Sequence, residues 1–345
     1  MFKPTVIKKN DNKNTEIDIS AIEACRVRHT DIIPPPDVVL SIKGEIVATR
    51  KNFFCITGKA KVGKSFLMTL INSIVLKKGN LNNTLESYLP KGKDKVLYID
   101  TEQSRYHVGL ILKRVAKIVE EHKLDNLLMY QFKSKRRNER YEFTKFLANN
   151  TKGVGLLIID GIADLVSTVN DEIEANNICD DLFQWAENND IAIACVLHQN
   201  PTDSAKMRGH LGTIMTNKAE TVIQIESSKD NDSVKLVSTT QTRNKKPEEW
   251  SFVISDDGIP EIMDEIYTEP IKGRKTAKIY SDDEILEIIK KVYYSEQKGA
   301  GFGYTAIWTK ITQNESIGIS KAKEMVTYAK EIGIIYQDDK KYFLK

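Results

Sequence analysis

The chain has little that would mark it as secreted, membrane-spanning or strongly charged. Its 345 residues include only four cysteines, Cys25, Cys55, Cys179 and Cys195, and no two form a Cys-x-x-Cys pair. That spacing argues against a disulfide framework or a thiolate zinc site, so buried free thiols in a reducing cytoplasm are the expectation. No stretch approaches the roughly 18 consecutive apolar residues of a membrane helix, and Met1-Phe2-Lys3-Pro4-Thr5 lacks the apolar segment of a secretory leader. No membrane partner is expected. Charge bias is missing too: 51 basic against 48 acidic side chains leave a net charge of +3. Such a balance neither demands nor excludes nucleic acid, so contact with a polyanion must come from local clusters. An apolar fraction of 41% and a charged fraction of 29% describe an ordinary globular protein. The length suggests two domains, or one large domain with an appendage.

What is present centres on Gly58-Lys59-Ala60-Lys61-Val62-Gly63-Lys64-Ser65, between the apolar run Phe53-Phe54-Cys55-Ile56-Thr57 and Phe66-Leu67-Met68-Thr69-Leu70-Ile71. This is G-x-x-x-x-G-K-[ST] in a strand, loop, helix setting. Gly58 and Gly63 let the backbone bend with its N–H groups turned inward around phosphates. Lys64 reaches the β and γ oxygens, Ser65 offers a hydroxyl to Mg²⁺, and the helix N-terminus favours negative charge. Residues Gly58 to Phe66 are therefore the expected nucleotide-binding set. Lys59 also stands where partition-type ATPases carry a signature lysine, but Ala60-Lys61 replaces their glycine pair. It reads better as a solvent-facing loop residue, with partition-like activity as an alternative.

Around this loop the pattern alternates strand and helix. Residues 1–36 are polar and end in Pro34-Pro35-Pro36, with one short helix from Ile17 to Cys25. Val38–Ile42 and Glu45–Thr49 read as a hairpin covering one sheet edge, and 77–95 as a polar insertion. Val96-Leu97-Tyr98-Ile99-Asp100 is an apolar strand ending in Thr101-Glu102, and carboxylates at parallel strand ends face ligands in doubly wound sheets. Glu102 is the candidate to orient or deprotonate an attacking water; the plainer reading is that Asp100 and Glu102 simply favour the next helix. Gly155-Leu156-Leu157-Ile158-Ile159-Asp160 is a second such strand, and Asp160 is the best-placed carboxylate to hold the Mg²⁺ water shell. A third, Ile191 to Leu197, ends in His198-Gln199-Asn200, either of the first two of which could sense a γ-phosphate. The basic run Lys133 to Arg137 reads as a solvated loop. The stretch 201–213, carrying Lys206 and Arg208, reads as a long polar loop. Antiparallel strands follow from Thr221, with Arg243-Asn244-Lys245 between two of them.

Phosphate loop, strand ending Asp-Thr-Glu, strand ending Asp, strand ending His-Gln-Asn, Arg-Gly loop and late Arg-x-Lys hairpin occur in that order. This resembles the RecA-type ATPase superfamily, closest in plan to the RepA-like replicative helicase family of plasmids and mobile elements, over roughly residues 37–265. The resemblance implies an α/β, RecA-like core with a mostly parallel sheet. It implies ATP and Mg²⁺ as cofactors, and a homo-oligomer, hexameric in that family, with ATP between subunits. Residue by residue, it implies that Lys64 and Ser65 hold phosphate and metal, that Asp160 supports the metal, that Glu102 is the catalytic carboxylate and that His198 is the γ-phosphate sensor. It also implies that Arg243 with Lys245, or Arg208, is offered in trans. Such an arginine stabilises phosphoryl-transfer charge, with about 10³ to 10⁵ in rate at stake. Single-stranded DNA would meet the core loops, with Lys206 and Arg208 as contacts.

A proline-broken linker, 266–280, precedes residues 281–345. Ser281-Asp282-Asp283-Glu284 is a capping box before Ile285, Leu286, Ile288, Ile289 and Val292. A short helix near Thr305 to Ile311, a third capped by Ser320, and strands about 334–336 and 341–344 complete the plan of a winged helix. If it binds duplex DNA, Lys321, Lys323 and Lys330 on the third helix and Lys340 and Lys341 at the wing are the phosphate contacts. A protein-binding use is the alternative. Two functions follow: an ATP-hydrolysing DNA motor, or an ATP-switched regulator that assembles on duplex DNA without unwinding it.

Overall fold

Alternating apolar strands and amphipathic helices can bury both kinds of surface only by layering helices on the two faces of a sheet. A computed structural model of the chain describes residues 18–200, 206–264, 280–294, 301–315, 317 and 319–345. It divides into two compact units, Met1–Tyr267 and Thr268–Lys345. The expected linker 266–280 lies outside the described residues except at Tyr280.

In chain order the first unit has α1 (Ile19–Ala24), β1 (Val38–Ile42), β2 (Glu45–Thr49), β3 (Phe53–Gly58), α2 (Lys64–Lys77), β4 (Gly79–Leu81), β5 (Leu85–Ser87), β6 (Lys95–Asp100) and α3 (Arg105–Val119). It continues with β7 (Leu127–Gln131), α4 (Arg137–Asn150), β8 (Val154–Asp160), a 3-10 turn (Ile162–Leu165), α5 (Glu172–Asn189) and β9 (Ala192–His198). Then come α6 (Gly209–Lys218), β10 (Thr221–Ser227), β11 (Val234–Thr242), β12 (Trp250–Ile254) and β13 (Pro260–Ile262). The main sheet is nine-stranded, in the order β13-β12-β11-β10-β3-β9-β8-β6-β7. Strands β7, β6, β8, β9, β3 and β10 run parallel, and β11 to β13 add on antiparallel. β10 is thus parallel to the phosphate-loop strand on one side and, on the other, starts the antiparallel run expected from Thr221 onward.

Side-chain alternation sorts the core into two layers. Phe54 and Ile56 of β3 join α2 and α3 on one face; Phe53 and Cys55 join α5 and α6 on the other. Cys55, Cys179 and Cys195 are buried free thiols, whereas Cys25 is exposed. Helix starts carry the expected chemistry: Ser104 accepts from the His107 N–H, and Asp171 from Glu174 at 2.9 Å.

The hairpin β1–β2 corrects one expectation. It does not cover an edge of the main sheet; it builds a separate four-stranded sheet, β2-β1-β5-β4, with the stretch read as a polar insertion. β5 pairs with β1 through Ser41 opposite Glu86 and Ile42 opposite Leu85. Leu85 and Leu89 are buried with Val39, Leu40 and α2 in one core. Three apolar residues spread over a charged stretch make a weak pattern, yet they suffice once α2 supplies the facing surface. Residues 209–213, expected as the end of a loop, instead begin α6, which buries Leu211 and Met215 beneath the sheet.

The second unit has α7 (Asp282–Tyr294), α8 (Tyr304–Glu315), α9 (Ile319–Glu331), β14 (Ile335–Asp338) and β15 (Lys341–Leu344). Ser281 and Glu284 form the reciprocal cap, with Ser281 N donating to Glu284 Oε2 at 2.9 Å and Glu284 N to Ser281 Oγ at 3.2 Å. Ile289, Val292, Ile307, Ile311, Ala322 and Val326 are among its core residues. No described helix is long and apolar enough to cross a membrane.

Because Leu85 is fully buried between β1 and α2, Leu85→Ala should destabilise the first unit by about 2 to 5 kcal/mol. Urea unfolding followed by circular dichroism measures this, and a loss under about 0.5 kcal/mol would mean that the small sheet is peripheral.

Candidate nucleotide site

β3 is buried along its whole length and delivers the chain to the loop at Gly58. No side chain fits there, because a Cβ would stand 2.7 Å from the Ile225 carbonyl oxygen and 2.8 Å from Val62 Cγ1. Gly63 has φ +108°, which L side chains rarely adopt, and the Lys235 methylenes occupy the space beside it. α2 begins at Lys64 with no side-chain cap. Its first N–H groups therefore remain for an anion.

Lys64 is only 8% exposed. Its ammonium donates to the carbonyls of Gly58 at 3.0 Å and Lys59 at 2.8 Å, and faces His198 Nδ1 at 3.0 Å. A cation there makes Nδ1 the acceptor, so Nε2 carries the hydrogen and donates to Glu102, at 3.3 and 3.4 Å from its two oxygens. Burial lowers the Lys64 pKa, opposed by Asp160 and Glu102. The His198 bond holds the Glu102 carboxyl below its usual range, against burial, and Lys64 adds to the effect.

The carboxylates meet because parallel strands end together. Asp100 of β6 is in register with Asp160 of β8, and Gly58 of β3 with His198 of β9. Tyr98 donates its hydroxyl to Asp160 Oδ2 at 2.7 Å. Burial first, with Asp100 and Glu102 adding to it, pushes the Asp160 pKa up to about 7 against the opposing Tyr98 bond and Lys64. Asp100 is fully buried and accepts from Glu102 N at 3.0 Å, Gln103 N at 2.7 Å and Gln103 Nε2 at 2.8 Å. Thr101 Oγ1 donates to the carbonyls of Asp160 and Gly161, at 3.1 and 3.2 Å. Gly161, at φ +107°, has no room for a Cβ, which would lie 2.1 Å from that hydroxyl.

The fold thus brings Lys64, Ser65, Glu102, Asp160 and His198 to one edge of the sheet. Lys59, Ala60 and Lys61 are exposed and Val62 is buried. Phe66 is half-buried, with the Arg114 guanidinium 4.3 Å from its ring centroid. Arg208 is exposed beside the site, its N–H donating to the His198 carbonyl at 3.0 Å. A bridge between Gln199 and Met207 closes this loop; Lys206 is exposed, and 201–205 lie outside the described residues. Arg243 and Lys245 are elsewhere. Arg243 N donates to the Glu220 carbonyl and Glu220 N to that of Phe53, which places Arg243 at the opposite end of β3 from Lys64. Lys245 pairs with Glu45. In the second unit, Lys321, Lys323 and Lys330 lie over the rings of Tyr280, Trp308 and Tyr342, at 5.1, 5.0 and 5.7 Å, while Lys340 and Lys341 are exposed.

Sequence reasoning missed Tyr98, Gln103 and Lys235. Tyr98 could have been found from strand alternation, since it shares a sheet face with Asp100. Lys235, 3% exposed, donates to Ser227 Oγ at 2.8 Å and to the Asp232 carbonyl, and no linear signal places it against Gly63. Gln199, 5% exposed, has neither amide atom hydrogen-bonded among the described residues. Buried amides are rarely left so. A Mg²⁺ ion fits the donor set. Ser65 and Asp160 offer hard oxygens. That suits an ion which takes one or two protein groups and its remaining ligands from phosphate and water.

A glycine loop opening an uncapped helix, a buried lysine within it and carboxylates on adjacent parallel strands define a P-loop nucleotide-binding core of layered α/β type. Residues 21–203, more than half of the chain, match the family model described as AAA domain, and the chain belongs to that family. No curated protein matches it. Among matching solved structures, the crystal structure of the RadB recombinase has 14% identity and a TM-score of 0.42, covering 61% of this chain and 90% of that one. So distant a likeness carries no argument about activity.

A carboxyl with a folded-state pKa above its unfolded value adds stability at low pH, and that contribution fades as pH rises from the ordinary 3.8 through about 7. Asp160→Asn should therefore raise the melting temperature by a few degrees at pH 8 and change it little near pH 4. Scanning calorimetry at the two pH values decides; equal shifts would mean that Asp160 titrates normally.

Proposed function

We propose that the protein is an ATP-hydrolysing, DNA-acting motor of the RepA-like kind, cytoplasmic and assembled as a homo-oligomer, with a role in mobile-element replication or transfer. The observation that carries this reading is the meeting of Lys64, His198, Glu102 and Asp160 at one strand-end edge. Lys64 would grip the β and γ phosphates by exchanging its bonds to Gly58, Lys59 and His198 for phosphate oxygens. Glu102, held ionised by its neighbours, would orient or deprotonate water. His198, between Lys64 and Glu102, is positioned to register the γ-phosphate. Mg²⁺, held by Ser65 and on the Asp160 side, would neutralise charge on the β and γ oxygens.

The separation of Arg243 and Lys245 from their own Lys64 supports a role at a neighbouring subunit's nucleotide. Arg208 sits at the site edge, where the loop of 199–208 could couple hydrolysis to single-stranded DNA bound through Lys206 and Arg208, with salt-sensitive affinity. In the second unit, three helices followed by a hairpin support a winged-helix reading in which α9 and the β14–β15 turn meet duplex phosphate through their lysines. That unit also favours the second reading, an ATP-switched regulator on one duplex site.

The test is the hydrolysis rate with and without single-stranded DNA, together with strand displacement. Stimulated turnover with displacement supports the motor; slow, unstimulated turnover with ATP-dependent binding to one duplex supports the switch. Glu102→Gln should keep nucleotide binding while lowering kcat by about 10²- to 10⁴-fold, read by filter binding and phosphate release. Arg243→Ala should lower kcat by about 10³-fold. Mixing it with Lys64→Ala subunits should restore part of the rate, because a trans site needs one intact group from each; no recovery would remove the trans role.

A further inference from the structure

Gln103 sits one residue beyond the candidate catalytic carboxylate, and no motif assigns it a task. Its backbone N–H and its side-chain nitrogen both donate to Asp100, at 2.7 Å to Oδ1 and 2.8 Å to Oδ2. The same Nε2 donates its second hydrogen to Ser65 Oγ at 3.3 Å. A carboxylate cannot donate, so the amide nitrogen, not its oxygen, must face Asp100. From the other side, Gln131 of β7 donates to the Gln103 carbonyl at 2.9 Å. Gln103 is thereby fixed at three points by two neighbouring strands, with one hydrogen aimed at the phosphate-loop hydroxyl.

The geometry points to Gln103 as a positioning residue that sets the Ser65 hydroxyl for a divalent cation, with the buried Asp100 carboxylate as its anchor. This rests on the nucleotide-site reading above and adds to it a residue outside the loop. An N–H donated to Ser65 Oγ occupies one lone pair, so the other lone pair and the hydroxyl hydrogen keep fixed directions. Ser65 is the second residue of α2, half-buried, and has no other side-chain bond among the described residues. Without Gln103 its hydroxyl turns freely, and metal binding must supply the ordering. Asp100 has its place in the same arrangement: a fully buried carboxylate, it accepts from both nitrogens of Gln103 and so aims the amide.

Loss of an outer-shell partner lowers metal affinity about 10- to 100-fold in other sites. The test uses the full chain and a fluorescent nucleotide, N-methylanthraniloyl-ADP, titrated first in EDTA and then with Mg²⁺. Gln103→Leu should bind the nucleotide in EDTA within about twofold of wild type, yet need at least about tenfold more Mg²⁺ for the half-maximal change. Gln103→Met, unbranched and also without a donor, should shift the midpoint the same way and decides the matter if the Leu variant does not fold. A structural role alone would lower the melting temperature and leave the Mg²⁺ midpoint in place. Unchanged midpoints in folded variants overturn the positioning role and leave the nucleotide site standing. If wild type binds no nucleotide under either condition, both fall together.

Discussion

The structure depends on holding one ammonium and three carboxyl groups together where little water reaches them. Lys64 and Asp160 are nearly buried and Asp100 fully so, while Glu102 closes the group from the solvent side. Isolated charges in such a place cost several kcal/mol each, so each must be partnered. Asp100 takes three N–H donors from its own turn, Asp160 takes Tyr98, and Glu102 takes His198. Lys64 takes two loop carbonyls and the imidazole. The residual imbalance shows in Asp160, whose carboxyl is pushed up to about 7. A site strained in this sense favours an arriving cation and polyphosphate, which would complete pairings that the protein leaves open.

The sheet makes this arrangement possible. Parallel strands in register present their carboxyl ends at one level, so Asp100, Asp160, Gly58 and His198 become neighbours although as many as 140 positions of chain, from 58 to 198, separate them. Stapling of the tips by Thr101 and Gly161 then removes the freedom that repulsion between carboxylates would otherwise exploit. On the far face of α2 the small sheet β2-β1-β5-β4 seals the apolar side of the phosphate-loop helix, fixing the element that carries Lys64 and Ser65.

Much of this was legible in the residues. The phosphate loop, the apolar strands ending in Asp100, Asp160 and His198, and the capped helices announce themselves through local rules: glycine where the backbone bends tightly, continuous apolar runs in doubly covered strands, serine or aspartate at helix starts. Where those rules weaken, sequence reading failed. β4 and β5 are three residues each, too short for alternation to register. α6 was hidden by polar residues and two glycines, of which Gly209 takes φ +72° against the Val169 carbonyl and Gly212 lies against Met207. β10 reads as the start of the antiparallel run, but nothing in it shows that its other neighbour is the parallel strand β3.

By itself the sequence determined the loop that can hold phosphate, the identities of the strand-end groups and the alternation that sorts them into a layered α/β core, because these follow from backbone sterics and burial over a few residues. Only the tertiary structure decided which groups touch. That Lys64 leans on His198, that Tyr98 holds Asp160, that Gln103 ties Asp100 to Ser65 and that Arg243 lies at the opposite end of β3 all depend on strand order and register. Those are set by packing over the whole core, and no local window contains it.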